Sequence, residues 1–396
     1  MLKEKSKEPV CPVYKKCGGC QLQNLSYDRQ LQFKQVKAIK LLGKFCHVNE
    51  IFGMNEPYHY RNKVQAAFGY DRRKNLVCGV YQSSTHKIVE NKGCLTEDKR
   101  ADEIIAVIKK LVKSFGLKPF DETTMTGYIR HVLIKRAFKT GEIMVVLVVG
   151  YEDFPKKRSF INAILKHCPD VTTIVENINT SFGSMVLSDK TNVLYGPGKI
   201  EEELMGKRFR ISPEAFYQIN PVMTEVLYKK ALQFLDLKGT ETVIDAYCGT
   251  GTIGILAADK AKRVLGVELN KDAVSDAKEN AKLNNTENIE FICADAGEYM
   301  EALAEEKYPI DAVMMDPPRK GSSKKFLNSL CLLSPKKIVY ISCNPETQAR
   351  DLEFLTKRGY IVKKIQPVDM FPHTNHIESI VCLTRRLDNE LRKRTN

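Results

Sequence analysis

Cys343 lies in "VYISCNPETQARDL", residues 339–352, directly behind the apolar run Ile338 to Ile341. A thiolate can form a covalent intermediate with an electron-poor carbon, but free cysteine is also among the residue types most often buried in cores. Its neighbours decide between the two readings. Asp316 in "DAVMMDPPRKG" and Glu378 in "DMFPHTNHIESIV" are carboxyl groups in unusual settings, behind strand-like runs or ahead of one. A carboxylate brought beside a thiol can remove a proton from the adduct the thiol forms, giving a nucleophile and a general base. A third feature is "VIDAYCGTGTIG", where Gly249, Gly251 and Gly254 satisfy G-x-G-x-x-G and Asp245 lies four residues before the first of them. Such glycines permit a tight turn and close backbone approach to a ligand, though the pattern alone is weak.

These residues need strand ends to hold them. From about residue 240, "TVIDAY", "RVLGVEL", "IEFICAD", "DAVMMD" and "KIVYIS" alternate with helical segments such as "KDAVSDAKENAKLN". That alternation predicts an α/β fold with a parallel, doubly wound sheet. Two more strands, "YIVKKIQPVDMF" and "HIESIVCLTRR", are joined too closely for a crossover helix and are expected to be antiparallel. Five parallel strands and an antiparallel pair resemble the class I, seven-strand fold of S-adenosylmethionine (SAM)-dependent methyltransferases. In such a sheet ligands sit at the carboxyl ends of the parallel strands. Asp245 can there meet a cationic head group, Glu268 in "GVELN" can accept both ribose hydroxyls, and Asp295 in "FICADA" can bond an adenine edge. Cys343 and Asp316 stand on that same edge, and an antiparallel last strand beside the fifth brings Glu378 to Cys343.

A thiol, a carboxylic acid and a methyl donor on one edge suit methylation of a pyrimidine carbon. Carbon 5 of uracil is too weak a nucleophile until a thiolate adds to carbon 6. It can then take the methyl group, lose its proton to a base and release the thiol. Residues 211–396 resemble the RNA uracil-5-methyltransferase family in "SCNPETQARD", "DMFPHTNHIE", "DPPRKG" and "AFYQINP". The resemblance implies that Cys343 is the nucleophile and Glu378 the base. It implies that Gln218 contacts SAM, that Phe216 stacks on the target base, and that Tyr247, Thr252, Glu268, Asp295 and Asp316 line the cofactor and base pocket. Pro318 stands where many relatives have alanine, with no change in chemistry expected. His373 and His376 flank the base and are read as structural, although either could polarise the pocket.

Cys11, Cys17 and Cys20 follow a C-x5-C-x2-C spacing, and Cys94 in "NKGCLTE" could supply a fourth thiolate. By residue type alone, tetrahedral zinc and a four-iron cluster are both open. The C-x5-C-G-G-C form resembles the [4Fe-4S] site of the ribosomal-RNA branch of the same family, which implies iron–sulfur and a 23S ribosomal RNA substrate. With no redox step in the methylation, such a cluster reads as a structural clip. Cys46, Cys78, Cys168, Cys248, Cys293, Cys331 and Cys382 are read as buried thiols. Transfer RNA, or a non-catalytic iron–sulfur RNA-binding protein, are the rival readings.

Composition agrees with a polyanionic partner. The net charge is +14, and residues 1–200 hold 33 Lys+Arg against 19 Asp+Glu, whereas residues 201–396 hold 29 of each. All the excess is thus in the first half, which favours nucleic acid over a membrane surface. "YHYRNKVQAAFGY" interleaves Tyr58 and Tyr60 with Arg61 and Lys63, a mix suited to unstacked bases and phosphates. No apolar stretch of about 18 residues suggests a membrane helix, and the charged start "MLKEKSKEPV" does not read as a secretory signal. A cytoplasmic monomer is expected. With ten residues ahead of Cys11, the additional RNA-binding barrel that many relatives carry there is not expected. The expected layout is a cysteine-rich segment with a helix over residues 1–55, a basic α+β RNA-recognition domain over 56–205, completed by Cys94, and a catalytic domain over 206–396.

Overall fold

The computed structural model describes residues 11–82, 85, 87–90, 92–152, 156–181 and 185–386. The charged stretch 1–10, read above as no secretory signal, lies outside the described residues. The chain divides into two compact units: Met1–Ser26, Glu56–Leu204 and Arg210–Pro221 in the first, Tyr27–Asn55, Met205–Phe209 and Val222–Asn396 in the second. Helix α1 (Tyr14–Cys17) belongs to the first unit and α2 (Tyr27–Leu42) to the second.

In the first unit β1 (Lys63–Tyr70), β2 (Leu76–Tyr81), β3 (Ile88–Val89), β4 (Ile129–Arg136), β5 (Ile143–Val149), β6 (Thr173–Ile178) and β7 (Thr191–Tyr195) form one sheet in the order β3-β2-β1-β4-β5-β6-β7. The pairs are antiparallel apart from β5 with β6. Helices α3 (Lys99–Ser114) and α4 (Lys157–His167) share its core. Asp98 caps α3 by accepting from the Ala101 amide at 3.0 Å, and the stripe Ala101, Ile104, Ile108, Leu111 and Val112 is buried.

After β8 (Ile200–Leu204) and β9 (Lys207–Ile211), α5 (Pro221–Leu235) leads into the second unit. There β10 (Thr242–Ala246), α6 (Thr252–Ala258), β11 (Arg263–Glu268), α7 (Lys271–Leu283), β12 (Ile289–Cys293), α8 (Ala296–Glu305), β13 (Ala312–Met315), α9 (Lys324–Leu333), β14 (Lys337–Ser342), α10 (Pro345–Thr356), β15 (Tyr360–Val368) and β16 (Glu378–Arg385) follow. The sheet order is β12-β11-β10-β13-β14-β16-β15, with β16 antiparallel to both neighbours and the rest parallel. This is the class I methyltransferase sheet expected from the strand pattern.

The segment boundary near residue 55 is corrected. Tyr27–Asn55 does not stay with the cysteines but joins the second unit. Ala38, Leu42 and Val48 are buried in the core cluster that includes Leu352, Leu355 and Ile365. The Asn49 and Phe52 amides donate to the carbonyls of Ile365 and Pro367 at 3.0 and 3.1 Å. Burial of that apolar stripe, not proximity in sequence, decides where the helix packs.

Candidate active site

Strand register assembles the site. Met315 pairs with Tyr340 and Ser342 with Ser379. Asp316 is the first residue beyond β13, Cys343 the first beyond β14, and Glu378 the first of β16. Continuing the antiparallel register one step past Ser342 and Ser379 sets Cys343 opposite Glu378. Local bonds hold the turn that carries the thiol. Ser342 Oγ accepts from the Asn344 amide at 3.1 Å, and Asn344 Oδ1 caps α10 by accepting from the Glu346 amide at 3.1 Å. Pro345 occupies the first turn, where its missing N–H costs nothing. Asn344 Nδ2 and Thr347 Oγ1 donate to the Arg319 carbonyl at 3.2 and 3.3 Å, tying "DPPRKG" to the cysteine turn.

The electrostatics show acids crowded out of water. Burial, with the Asp316 charge beside it, holds the Glu378 carboxyl well above the usual carboxylate range. Burial raises Asp316 to about 7. Burial and the charges of Glu378 and Asp316 push the Cys343 thiol up to about 11, against the opposing pull of Arg319. Asp245 is raised to about 8 by burial, then by Asp316 and Glu268. Its Oδ2 has no hydrogen-bond partner, and neither does Glu378 Oε2. Burial keeps these acids protonated, and a cation brought beside them, such as a sulfonium or ammonium group, would favour their ionised form.

The glycine loop forms the other half. Gly249 (φ 54°) and Gly251 (φ 78°) adopt the left-handed region, so a side chain there would be strained. A Cβ on Gly254 would stand 2.7 Å from Asp245 Oδ2, so the third glycine lets the helix start approach that carboxyl. Thr252 begins α6 and its hydroxyl lies 3.3 Å from that of Thr250. Glu268 accepts from the Gly249 amide at 3.1 Å and from the Asn270 amide at 2.9 Å. Asp295 Oδ1 caps α8 by accepting from the Gly297 and Glu298 amides at 2.9 and 3.0 Å. Tyr247 holds φ 62°, and its ring meets that of Phe326 at 5.0 Å. The unpaired Asp245 oxygen and the side-chain-free cradle fit a ligand with a cationic end.

Phe216 and Gln218 belong to the first unit, Phe216 exposed and Gln218 buried, with the Gln218 carbonyl accepting from Asn62 Nδ2 at 3.2 Å. Cys11, Cys17, Cys20 and Cys94 all lie in this unit. Burial, against the opposing pull of Arg61 and with smaller additions from the neighbouring Cys17 and Cys11, pushes the Cys20 thiol up to about 11, while Cys94 Sγ lies 3.4 Å from Thr96 Oγ1. The four thiols match a cluster in type and number, but among the described residues no three His, Cys, Asp or Glu side chains converge as a metal-holding group. Two sequence expectations are corrected. Tyr60 is fully buried, with Arg61 over its ring, so it has no face for an RNA base; Tyr58 remains exposed. Cys293 is exposed because it ends β12, the edge strand, while Cys46 and Cys331 are half-buried.

The model of the tRNA (uracil-5-)-methyltransferase family matches residues 186–386. An uncharacterized RNA methyltransferase of Clostridium tetani is 43% identical over 95% of this chain and 83% of its own length. Another from Clostridium acetobutylicum is 44% identical over 96% of this chain and 84% of its own. This chain belongs to the tRNA (uracil-5-)-methyltransferase family. Among solved structures, the Pyrococcus abyssi tRNA (uracil-54, C5)-methyltransferase in complex with S-adenosyl-L-homocysteine is similar at a TM-score of 0.78. It is 29% identical, over 94% of this chain and 86% of that one. The protein is therefore an RNA methyltransferase of the SAM-dependent class. Three groups of this uracil-5-methyltransferase escaped the sequence reading. Arg319 was visible as the cation after Asp-Pro-Pro, but Lys34 and Gln30 of α2 resemble the solvated face of any amphipathic helix.

Proposed function

We propose that this enzyme methylates carbon 5 of a uridine in 23S ribosomal RNA, with Cys343 as nucleophile and Glu378 as base. The observation that carries it is the register that faces Cys343 with Glu378 beside the buried acid Asp316. The Cys343 thiolate bonds to carbon 6, and the ring electrons move toward the carbon 4 oxygen. Carbon 5 gains the methyl group, Glu378 removes the proton from carbon 5, the ring double bond re-forms, and Cys343 leaves as thiolate. When bound, SAM supplies the electrophilic methyl; Asp245 would meet its cationic end, with Glu268, Asp295, Thr252 and Tyr247 around it. Gln218 is assigned to the cofactor, Phe216 to stacking on the target base, and Asp316 to both.

The charges support this order of events. A protonated Glu378 spares Cys343 the repulsion that raises its thiol, and Arg319 favours the thiolate. Once sulfur is bonded to carbon 6 that negative charge is gone, and Glu378 is freer to ionise and act as base.

The ribosomal assignment rests on the C-x5-C-G-G-C spacing, with Cys11, Cys17, Cys20 and Cys94 proposed to hold a [4Fe-4S] clip. An RNA surface is proposed on residues 1–200, where 33 Lys+Arg stand against 19 Asp+Glu. The domains are proposed as the two units above, acting as a cytoplasmic monomer; no helix among the described residues is long and apolar enough to cross a membrane. Transfer RNA is the second reading, favoured by the substrate named for the Pyrococcus abyssi relative. Mapping 5-methyluridine in total RNA from cells with and without the gene decides between them. Loss of a 23S position supports the first reading, loss of a transfer-RNA position the second, and no loss refutes both.

A further inference from the structure

The loop of residues 369–377 joins β15 to β16 and ends one residue before Glu378. The strand pair Val368–Glu378 closes its base. Its interior is held by α2, from 335 positions earlier in the chain. Lys34 Nζ donates to Asp369 Oδ1 at 2.5 Å and to the Phe371 carbonyl at 3.0 Å, and both charged side chains are wholly buried. Tyr27 Oη donates to Asp369 Oδ2 at 3.0 Å while accepting from the Met54 amide at 2.7 Å. One turn before Lys34, Gln30 meets His373 in two places. The His373 amide donates to Gln30 Oε1 at 2.8 Å, and Gln30 Nε2 stands 3.2 Å from His373 Nδ1. Both residues are buried, and His373 holds φ 69°, a left-handed conformation that a side chain other than glycine keeps only when its surroundings impose it.

These bonds select one tautomer. A backbone amide can only donate, so Gln30 must turn its oxygen toward His373 N. The other end of the same amide is then NH2, which also only donates, so His373 Nδ1 accepts. The ring is therefore neutral, with its proton on Nε2. An imidazolium would set N–H against N–H.

We propose that Gln30 and Lys34 are positioning residues for proton abstraction, holding the base-bearing loop and the neutral Nε2–H form of His373. This rests on Glu378 being the base. Cys343 is carried by β14 and the start of α10, so loosening the loop disturbs the base more than the nucleophile. A separate ion pair, Lys37 of α2 with Glu346 of α10 at 3.8 Å, lies at the surface and remains intact when Gln30 is changed. A base displaced by a fraction of an ångström leaves thiol addition and methylation running and slows only release of the adduct.

The test uses the full-length enzyme, total RNA from cells lacking the gene, and labelled SAM. Formation and decay of the denaturant-resistant protein–RNA adduct are followed in one turnover. Gln30→Leu is expected to slow adduct decay by roughly tenfold to a hundredfold while formation stays within about twofold. Tyr27→Phe, which deletes one hydroxyl, covers the case in which Gln30→Leu does not fold, and it is expected to slow decay in the same sense. Nitrogen-15 shifts of the His373 ring are expected to show bare Nδ1 and protonated Nε2 in the wild type, and mixed tautomers in Gln30→Leu. Equal slowing of formation and decay, wild-type decay in the folded variants, or an Nδ1–H ring in the wild type overturns the proposal. Glu378→Gln run alongside separates the two levels. No adduct from Glu378→Gln refutes the base itself, whereas adduct from it with normal decay in Gln30→Leu and Tyr27→Phe refutes only the role of α2.

Discussion

Asp245→Asn isolates the buried acid at the glycine loop, and its effect on stability has a definite sign. Asp245 is raised from 3.8 to about 8 in the folded protein, chiefly by burial. In the unfolded chain it ionises near its ordinary value. Below that value both states hold the proton and the group is neutral to stability. As pH rises, the unfolded state loses the proton first, so the wild type loses stability up to the folded value and then levels off. The slope is about 1.4 kcal/mol per pH unit for one proton. Asparagine binds no proton, and any fixed cost of its amide is the same at each pH. The stability of Asp245→Asn relative to wild type should therefore grow by about 2.7 kcal/mol between pH values of about 5.5 and 7.5. Urea unfolding followed by far-ultraviolet circular dichroism measures it; the sequence has no Trp to report by fluorescence. The same variant should show a smaller rise in melting temperature with SAM than the wild type, because the carboxylate proposed to meet the cation is gone. A wild-type-to-variant difference that stays constant with pH would refute the burial argument, and undiminished stabilisation by SAM would refute the cofactor role.

Anaerobically purified protein should be brown with about four irons per chain, and Cys17→Ser should lose them; colourless protein with stoichiometric zinc contradicts the cluster. Neutralising Lys and Arg within residues 1–200 should flatten the salt dependence of RNA binding by about one log–log unit for each phosphate left without its cation. Equal effects from residues 201–396 would remove the charge-asymmetry argument. Phe216 is 69% exposed, so Phe216→Ala should leave the melting temperature unchanged while lowering kcat/KM by roughly tenfold to a hundredfold, the size of one base stack on an aromatic ring. Unaltered kcat/KM would release Phe216 from the substrate.

The sequence by itself determined the catalytic sheet and the edge where chemistry would gather. Apolar runs of strand length, separated by amphipathic helices and interrupted by Gly249, Gly251 and Asp-Pro-Pro, are local signals, and local signals survive in one dimension. The short link between the last two strands makes them antiparallel, because chain length forbids a crossover there, but the sheet order β14-β16-β15 is what set Glu378 opposite Cys343. Only the tertiary structure decided the rest. Tyr60 looked like a wet aromatic and is buried, since a strand's periodicity says that faces alternate but not which face is covered. Lys34 and Gln30 looked like a solvated helix face and are buried against Asp369 and His373. A buried lysine is tolerable only when a partner neutralises it, and here that partner lies 335 positions away. The raised pKa values of Asp245, Asp316 and Glu378 are likewise properties of crowding and lost water, which exist only once the strand ends have met.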